Sequence, residues 1–222
     1  MIENLLGLRA RGGEPAARRP RVGLAERALA HPLLSRPVES LTPSLAELLE
    51  RYRPESEDEA ADVARLRALV ATTADPWRRD LPLHVTASAL IAHPPTSRVL
   101  LRWHQRQQGW LQVGGHGDPG ENDLLAITRR EAQEETGLPD LQPWPGAGIR
   151  HVAIVSVPAG KGEPAHEHAD IRLFMATSAP EAARPENADA PLRWLSLPAA
   201  YDATSEPNVR ETLTRIERLL TR

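Results

Sequence analysis

Three glutamates lie within five positions of one short segment, REAQEETGL, which runs from Arg130 to Leu138. Successive helical residues turn by about 100°, so Glu131, Glu134 and Glu135 would lie within one sector of a helix. Like charges at this spacing cost roughly 0.2–0.5 kcal/mol per pair, and the helix dipole also disfavours anions at its C-terminus. Clustered carboxylates suit Mg²⁺ or Mn²⁺. The alternatives are therefore a divalent cation site and a solvated helix face, and the segment alone does not decide between them.

A glycine-rich segment, GGHGDPGE (residues 114–121), precedes the acidic one and favours the cation site. Glycines allow the backbone to approach a ligand or metal ion closely. Together the two segments resemble the signature of the Nudix hydrolases: a glycine, five residues, a glutamate, seven residues, then R-E-U-x-E-E-x-G-U, with U aliphatic. The matching residues are Gly115, Glu121, Arg130, Glu131, Glu134, Glu135, Gly137 and Leu138.

The segment also departs from this signature at two places. Eight residues (122–129), not seven, separate Glu121 from Arg130. Ala132 stands where a larger aliphatic residue is usual. We expect the extra residue to be absorbed where the loop joins the helix, and the role of Glu121 to be the one that this change affects.

The resemblance covers roughly residues 81–222 and implies an α/β protein, a Nudix-like α/β/α sandwich around a mixed β-sheet. It also implies a set of site residues. The implied ligands of Mg²⁺ or Mn²⁺ are the backbone carbonyl of Gly115 and the side chains of Glu131, Glu134 and Glu135. Arg130 would orient the glutamates through ion pairs. The implied general base is Glu131, then Glu135, with Glu163 and Glu167 of a later segment as further candidates.

The function implied by the resemblance is cleavage of a pyrophosphate bond in a nucleoside diphosphate linked to another moiety X. The partner would then be a small nucleotide-type substrate. One alternative is a non-catalytic Nudix-like module that senses a nucleotide-like metabolite, and a weaker one is an isomerase on the same fold. The chain keeps all three motif glutamates and contains no cysteine, which favours the hydrolase. The nucleobase, X, the attacked phosphorus and the oligomeric state stay open.

Histidines form a second group of residues that could do chemistry. On a β-strand, His166, His168 and Asp170 would share one face and could hold a metal or grip phosphate oxygens. A polar strand end is the simpler interpretation. Because the Nudix layout would bring His116 toward the same cleft, we predict that His116, His168 and Asp170 line the substrate site.

Two tryptophans flank the polar segment QRQQG (residues 105–109), and two arginines lie before it and within it. Trp103 and Trp110 could stack on a nucleobase, although packing in the core is favoured for Trp110. Arg102 and Arg106 could contact phosphate, but a solvated loop is favoured for both.

Residue spacing predicts the elements that carry these groups. Strands are predicted over residues 84–93, 98–104, 110–113, 150–157, 170–178 and 192–197. Helices are predicted over residues 122–136, with a cap at Asn122 or Asp123 and a C-terminal glycine, and over 206–220. Upstream, residues 42–74 have helical spacing and a capping box from Ser56 to Glu59.

These elements divide the chain into three parts. Residues 1–40 are predicted to form a basic, mobile tail, or alternatively an arm that grips an anionic partner. Residues 41–80 form a helical N-terminal extension, and residues 81–222 form the Nudix-like hydrolase domain.

The composition narrows the class of protein. The chain has 222 residues, 41% of them hydrophobic and 26% charged, which is typical of a soluble globular protein. Its net charge of -3 is no strong signal for nucleic-acid binding. No apolar run approaches the roughly 18 residues of a membrane span, and Glu3 and Arg9 interrupt any signal-peptide core. The lack of cysteine fits a reducing compartment, so we expect a cytoplasmic protein without a membrane partner.

Overall fold

The computed structural model describes residues 43–160 and 162–221, so the predicted basic tail lies outside the described residues. The helices in this part of the chain are Leu45–Arg51 (α1), Glu57–Thr72 (α2), Leu124–Thr136 (α3), Leu197–Ala203 (α4) and Pro207–Leu220 (α5). The strands are Leu83–His93 (β1), Arg98–His104 (β2), Gly109–Leu111 (β3), Val113–His116 (β4), Gln142–Pro143 (β5), His151–Val157 (β6), His166–Ala176 (β7) and Leu192–Ser196 (β8).

One mixed sheet contains all eight of these strands. The central strand, β1, runs parallel to β7. Their register begins with Leu83 paired to Glu167 and ends with Ala92 paired to Ala176. It is antiparallel to β2 and β4, while β7 is antiparallel to β5 and β6. The strands β3 and β8 both pair with β2. The predicted mixed sheet is therefore confirmed.

Helices cover both faces of the sheet because β1 alternates between two cores. Val85 and Ala87 pack with apolar residues of α1, α2 and α3. Leu90 and Ala92 pack with α4 and α5 on the other face. A strand buried on both faces is apolar almost throughout, as β1 is over its C-terminal half. The predicted α/β/α sandwich is confirmed.

Two predicted boundaries were wrong, both because of strand pairing. The segment Gly114–His116 was predicted to begin a glycine-rich loop, but it belongs to β4 and pairs with Thr86–Ser88 of β1. The strand β7 begins at His166, before the predicted start at Asp170, because it pairs with β1 along its length. His166, His168 and Asp170 therefore belong to a regular strand.

Capping at the N-terminal helices differs from the prediction. The hydroxyl of Ser56 accepts a hydrogen bond from the Glu59 amide at 3.2 Å, which is half of the predicted capping box. The other half is missing because the Glu59 carboxylate is buried against Arg215 of α5. A complete capping box is present instead at α1, between Ser44 and Glu47.

The N-terminal helices and the sheet belong to one compact unit. The Glu59 carboxylate accepts the amide of Val152 at 3.0 Å, and Asp62 accepts the amide of Ile154 at 2.8 Å. These two acceptors satisfy the outer backbone groups of β6, which would otherwise be an open sheet edge. The boundary placed at residue 81 stays a prediction. None of the helices described is long and apolar enough to cross a membrane.

Candidate active site

The helix α3 fixes the direction in which the motif glutamates point. Its first turn is capped by Asp123, whose carboxylate accepts the amides of Leu125 and Ala126 at 2.9 and 3.1 Å. Gly137 ends it in the left-handed conformation, with φ 65°. Ala132, which replaces a larger aliphatic of the signature, is fully buried against the sheet. Its small side chain lets the helix lie close to the strands.

Glu131 lies against the backbone of β4. Its side chain is only 14% exposed. A Cβ atom at Gly115 would come within 2.7 Å of the Glu131 Cδ, so only glycine leaves room for this carboxylate. Burial raises the pKa of Glu131, although the ion pair with Arg130 acts in the opposite direction. This carboxylate and the Gly115 backbone therefore form one compact group of oxygen atoms.

Glu135 lies one helical turn further along α3 and has the most strongly raised pKa of the motif glutamates described. Burial raises it to about 7, while Arg102 and a backbone hydrogen bond lower it. The backbone amide of Gly114 donates to its Oε2 at 2.9 Å, and Arg102 Nη1 lies 3.0 Å from its Oε1. A carboxylate with such a pKa can take up or release a proton near neutral pH.

Arg130 connects the two halves of the motif. Its guanidinium lies 2.7 Å from Glu121, 2.9 Å from Glu131 and 3.1 Å from Glu134. It also donates to the backbone carbonyl of His116 at 2.9 Å. The extra residue of this chain is accommodated ahead of α3, and Glu121 still reaches Arg130. Glu134 differs from its neighbours because its side chain is 55% exposed.

The donor set fits a hard divalent cation. The chain places two buried carboxylates against the Gly114–Gly115 backbone, with a third carboxylate at the surface beside Arg130. All of these donors are oxygens, which Mg²⁺ and Mn²⁺ prefer. Burial raises the pKa of both Glu131 and Glu135, so their negative charge is only partly balanced by Arg130 and Arg102.

A cavity of about 310 Å³ lies beside this group. Gly114 and Gly115 line it, so the cavity meets the backbone against which the glutamates pack. Its other lining residues come from β1, β2, β3, β4, β6 and β7, from the segments that follow β2 and β3, and from the start of α5. The predicted substrate residues His116, His168 and Asp170 are all among them.

Histidines from three strands converge beside this cavity, and two of them, His116 and His168, line it. The Nε2 atom of His116 lies 3.1 Å from that of His84 and 3.3 Å from that of His168. His166 approaches the same group, with its Nε2 atom 3.2 Å from that of His168. Burial, followed by the charges of neighbouring histidines, lowers the pKa of His116 to about 3 and that of His168 to about 4. The imidazoles of His116 and His168 are therefore neutral at physiological pH.

Asp170 is held more tightly than a free substrate ligand would be. Its Oδ1 accepts hydrogen bonds from Ser88 at 2.7 Å and Thr86 at 3.2 Å. Its Oδ2 accepts from Arg172 at 2.8 Å and Gln112 at 3.2 Å. The side chain faces the cavity, but four donors already bind its oxygens.

The other candidate residues have varied positions. Glu163 lies 3.5 Å from Arg106, a residue that lines the cavity. Glu167 is paired with Arg65 of α2 at 2.5 Å. The rings of Trp103 and Trp110 pack edge to face at 5.6 Å.

Arg193 lies 4.5 Å over the ring of Trp110, so this ring offers no free face on that side for a nucleobase. Trp110 also packs against the core beneath α4 and α5, in line with the core position favoured for it.

Sequence reasoning missed two residues of the site. Arg102 was predicted to lie in a solvated loop, which was wrong: it belongs to β2 and is 15% exposed beside Glu135. His84 was treated only as the start of a strand, although it is buried beside His116. The signal for His84 lies in the register, because it is the partner of His168 in the parallel pair of β1 and β7.

The fold and the motif together define a pyrophosphohydrolase of the α/β/α sandwich class. The family model described as NUDIX domain matches residues 82–216, more than half of the chain. The chain therefore belongs to the Nudix family, whose hydrolases generally need a divalent metal ion.

The solved structures to which the chain is similar include three hydrolases. An Ap4A hydrolase of C. elegans, solved as a binary complex, has 17% identity and a TM-score of 0.50, covering 62% of this chain and 97% of that one. The dihydroneopterin triphosphate pyrophosphohydrolase of E. coli has 19% identity and a TM-score of 0.44, covering 62% and 97%. The Nudix hydrolase RenU of M. smegmatis has 23% identity and a TM-score of 0.44, covering 62% and 86%. A search of curated proteins finds no significant match.

Proposed function

We propose that this protein hydrolyses a pyrophosphate bond in a nucleoside diphosphate linked to another moiety X, and that it uses Mg²⁺ or Mn²⁺. The observation that carries the proposal is the burial of Glu131 and Glu135 against the Gly114–Gly115 backbone. Two carboxylates with raised pKa values in one place are costly unless a cation or a proton transfer uses them.

The proposed ligands of the ion are the Glu131, Glu134 and Glu135 carboxylates and the backbone carbonyl of Gly115. When bound, such an ion screens phosphate charge and lowers the pKa of a water molecule. Arg130 keeps the carboxylates oriented through its ion pairs with Glu131 and Glu134.

The general base is one of the two buried glutamates. The pKa of Glu135, raised by burial to about 7, lies near the operating pH, where a general base is most effective. The pKa of Glu131 is also raised by burial. In either role the glutamate takes a proton from the attacking water, while the leaving phosphate departs from the other side of the phosphorus.

Substrate would occupy the cavity lined by the Gly114–Gly115 backbone, against which the glutamates pack. Its volume of about 310 Å³ is at the small end of ligand sites. Arg106 and the imidazoles of His116 and His168 line it and are suited to face an anionic substrate. Asp170, whose oxygens already accept four hydrogen bonds, would position the strand ends around the substrate.

The test is a panel of nucleoside diphosphate derivatives, assayed for release of phosphate or a mononucleotide with Mg²⁺ or Mn²⁺. Glu135→Gln should lower kcat by at least about 10²-fold, because it removes a charge that binds metal and accepts a proton. The matched control is Glu186→Gln, since Glu186 also pairs with Arg102 but lies outside the motif.

Two outcomes would contradict the proposal. Turnover that survives in Glu135→Gln would rule out the proposed mechanism. Binding of a nucleotide by the wild type without any turnover across the panel would instead support a sensing module.

A further inference from the structure

The four histidines that converge beside the cavity have a geometry that hydrogen bonding alone does not explain. His84 Nδ1 lies 2.9 Å from the carbonyl oxygen of Leu81, and His166 Nδ1 lies 2.9 Å from that of Pro164. A carbonyl oxygen can only accept, so each of these Nδ1 atoms carries the proton. In a neutral ring the other nitrogen has no proton, so the Nε2 atoms of His84 and His166 would each carry a free lone pair.

Counting protons then leaves one contact unexplained. The Nε2 atoms form a chain of three contacts: His84 to His116 at 3.1 Å, His116 to His168 at 3.3 Å, and His168 to His166 at 3.2 Å. The lone pairs at the two ends supply no proton. His116 and His168 can each supply one, so two protons face three contacts. In the neutral cluster, at least one pair of nitrogens lies together without a hydrogen bond between them.

A cation would satisfy these lone pairs at once. Ligand nitrogens around a tetrahedral zinc ion, with Zn–N bonds of about 2.0–2.1 Å, lie roughly 3.3–3.4 Å apart. The observed separations of 3.1 and 3.3 Å from His116 to its two neighbours are close to that value. Coordinating atoms of His84, His116 and His168 all lie within 4.8 Å of one another.

The chemistry of the donors selects the kind of ion. Neutral imidazoles suit zinc and other first-row transition ions, whereas Mg²⁺ prefers oxygen. The hydrogen bond from His84 Nδ1 to a backbone carbonyl is the outer-shell contact that commonly orients a metal-binding histidine. The same contact argues against a phosphate at this position, because it leaves His84 Nε2 unable to donate.

The histidines and the glutamates lie on opposite faces of the sheet. His116 directly follows Gly115 on β4, and consecutive strand residues project to opposite faces. The face of Gly115 meets Glu131 of α3. The side chain of His116 lines the cavity on the other face, next to the start of α5.

We infer that His84, His116 and His168 form a second metal site, separate from the glutamates, that binds one Zn²⁺ or a similar first-row transition ion. His166 lies next to this site, because its Nε2 atom is 3.2 Å from that of His168, and it is a further candidate metal ligand. This site shares no ligand with the proposed glutamate site, although His116 and His168 also line the cavity proposed for the substrate.

Direct metal binding to the full-length protein tests this inference. The chain is stripped with a chelator and titrated with Co²⁺, whose visible absorption reports nitrogen ligands and coordination number, and Zn²⁺ is then used to displace it. The variants are His84→Gln and His168→Gln, with His93→Gln as a control at the far end of β1, where His93 is bonded to Thr96. The double variant Glu131→Gln/Glu135→Gln removes the other site.

One Co²⁺ per chain with the visible absorption of nitrogen ligands should bind to the wild type, His93→Gln and the double glutamine variant. Affinity should fall by more than about 100-fold in His84→Gln and His168→Gln, since even the loss of an outer-shell partner costs 10–100-fold. Circular dichroism checks the fold of each variant, and His168→Gln, at a less buried position than His84, keeps the test usable if His84→Gln fails to fold.

Three results would overturn the inference: no Co²⁺ binding to the wild type, unchanged affinity in His168→Gln, or loss of binding in the double glutamine variant. The Glu135→Gln assay tests Mg²⁺-dependent hydrolysis separately.

Discussion

The guanidinium of Arg102 lies 3.0 Å from the carboxylate of Glu135, although one residue belongs to the sheet and the other to the helix packed on it. Burial raises the pKa of Glu135 to about 7, and Arg102 opposes that rise. The positive charge of Arg102 therefore sets how readily this carboxylate ionises, and with it the pH at which a divalent ion can bind.

Replacing Arg102 should move the pH dependence of metal binding. In Arg102→Gln, we expect the pKa of Glu135 to rise by about one unit, since a neighbouring arginine typically lowers a carboxyl pKa by 1–3 units. The midpoint for Mg²⁺ affinity against pH should shift upward by the same amount, because metal binding needs the ionised carboxylate. Calorimetric titration between pH 5 and pH 9 measures it. Arg98→Gln, at the exposed start of β2, is the control, and an unchanged midpoint in Arg102→Gln would refute the coupling.

Glu135 should also lower the stability of the metal-free protein at alkaline pH. Its folded pKa of about 7 lies above the ordinary value of 4.5, so its contribution favours folding below pH 4.5 and is lost as the pH rises through 7. In EDTA at pH 8, Glu135→Gln should therefore be more stable than the wild type by on the order of 1–2 kcal/mol. At pH 4.5 this gain should be absent.

Urea unfolding at the two pH values measures this difference. Adding Mg²⁺ should stabilise the wild type more than Glu135→Gln, because binding to the folded state alone raises its stability. A variant that is less stable than the wild type at pH 8 in EDTA would show that the buried charge is already well compensated.

Gly115 should be required for the position of Glu131. In Gly115→Ala, the added methyl would come within 2.7 Å of the Glu131 Cδ, so the carboxylate must move away from β4. We expect activity to fall by about 100-fold, since a displacement near 1 Å in a catalytic group costs that much. Gly148→Ala is a matched control, because nothing lies within 4 Å of its added carbon. Steady-state kinetics that are equal in the two variants would contradict the proposed packing.

The sequence predicts the elements of this fold well because their periodicity is strong. The helix α3 ends at the glycine expected for it, and β1, β2 and β8 lie within a residue of their predicted bounds. The predictions fail where strand pairing determines the secondary structure. Gly114 and His116 have the local sequence of a loop, but they pair with β1. Glycine content alone cannot show this.

The histidine cluster likewise contains residues that the sequence can predict and one that it cannot. His166 and His168 attract attention because they are close in sequence, whereas His84 is 84 positions from its register partner His168. Their contact depends on β1 and β7 being parallel neighbours in one register, which no local pattern encodes. The same holds for Glu59 and Arg215, which are 156 positions apart.

The buried ion pair between Glu59 and Arg215 should be the main polar link between α2 and α5. Its atoms lie 2.8 Å apart, with side chains 2% and 4% exposed. Glu59→Gln should destabilise the protein by up to about 3–5 kcal/mol, because it leaves the buried Arg215 charge paired only with the more exposed Glu211. Glu55→Gln breaks an exposed pair between the residue ahead of the α2 cap and Arg218 of α5, and should cost only about 0–1 kcal/mol.

The pH dependence gives this prediction a second test. Burial raises the pKa of Glu59, but Arg215, Tyr52 and two backbone amides outweigh it and lower the pKa to about 2, below the ordinary value of 4.5. The stability that Glu59 contributes is therefore present above pH 4.5 and is lost as the pH falls toward 2. The difference in unfolding free energy between wild type and Glu59→Gln, measured with urea, should shrink over that range. A difference that stays constant from pH 6 to pH 3 would mean that shape, not charge, holds the two helices together.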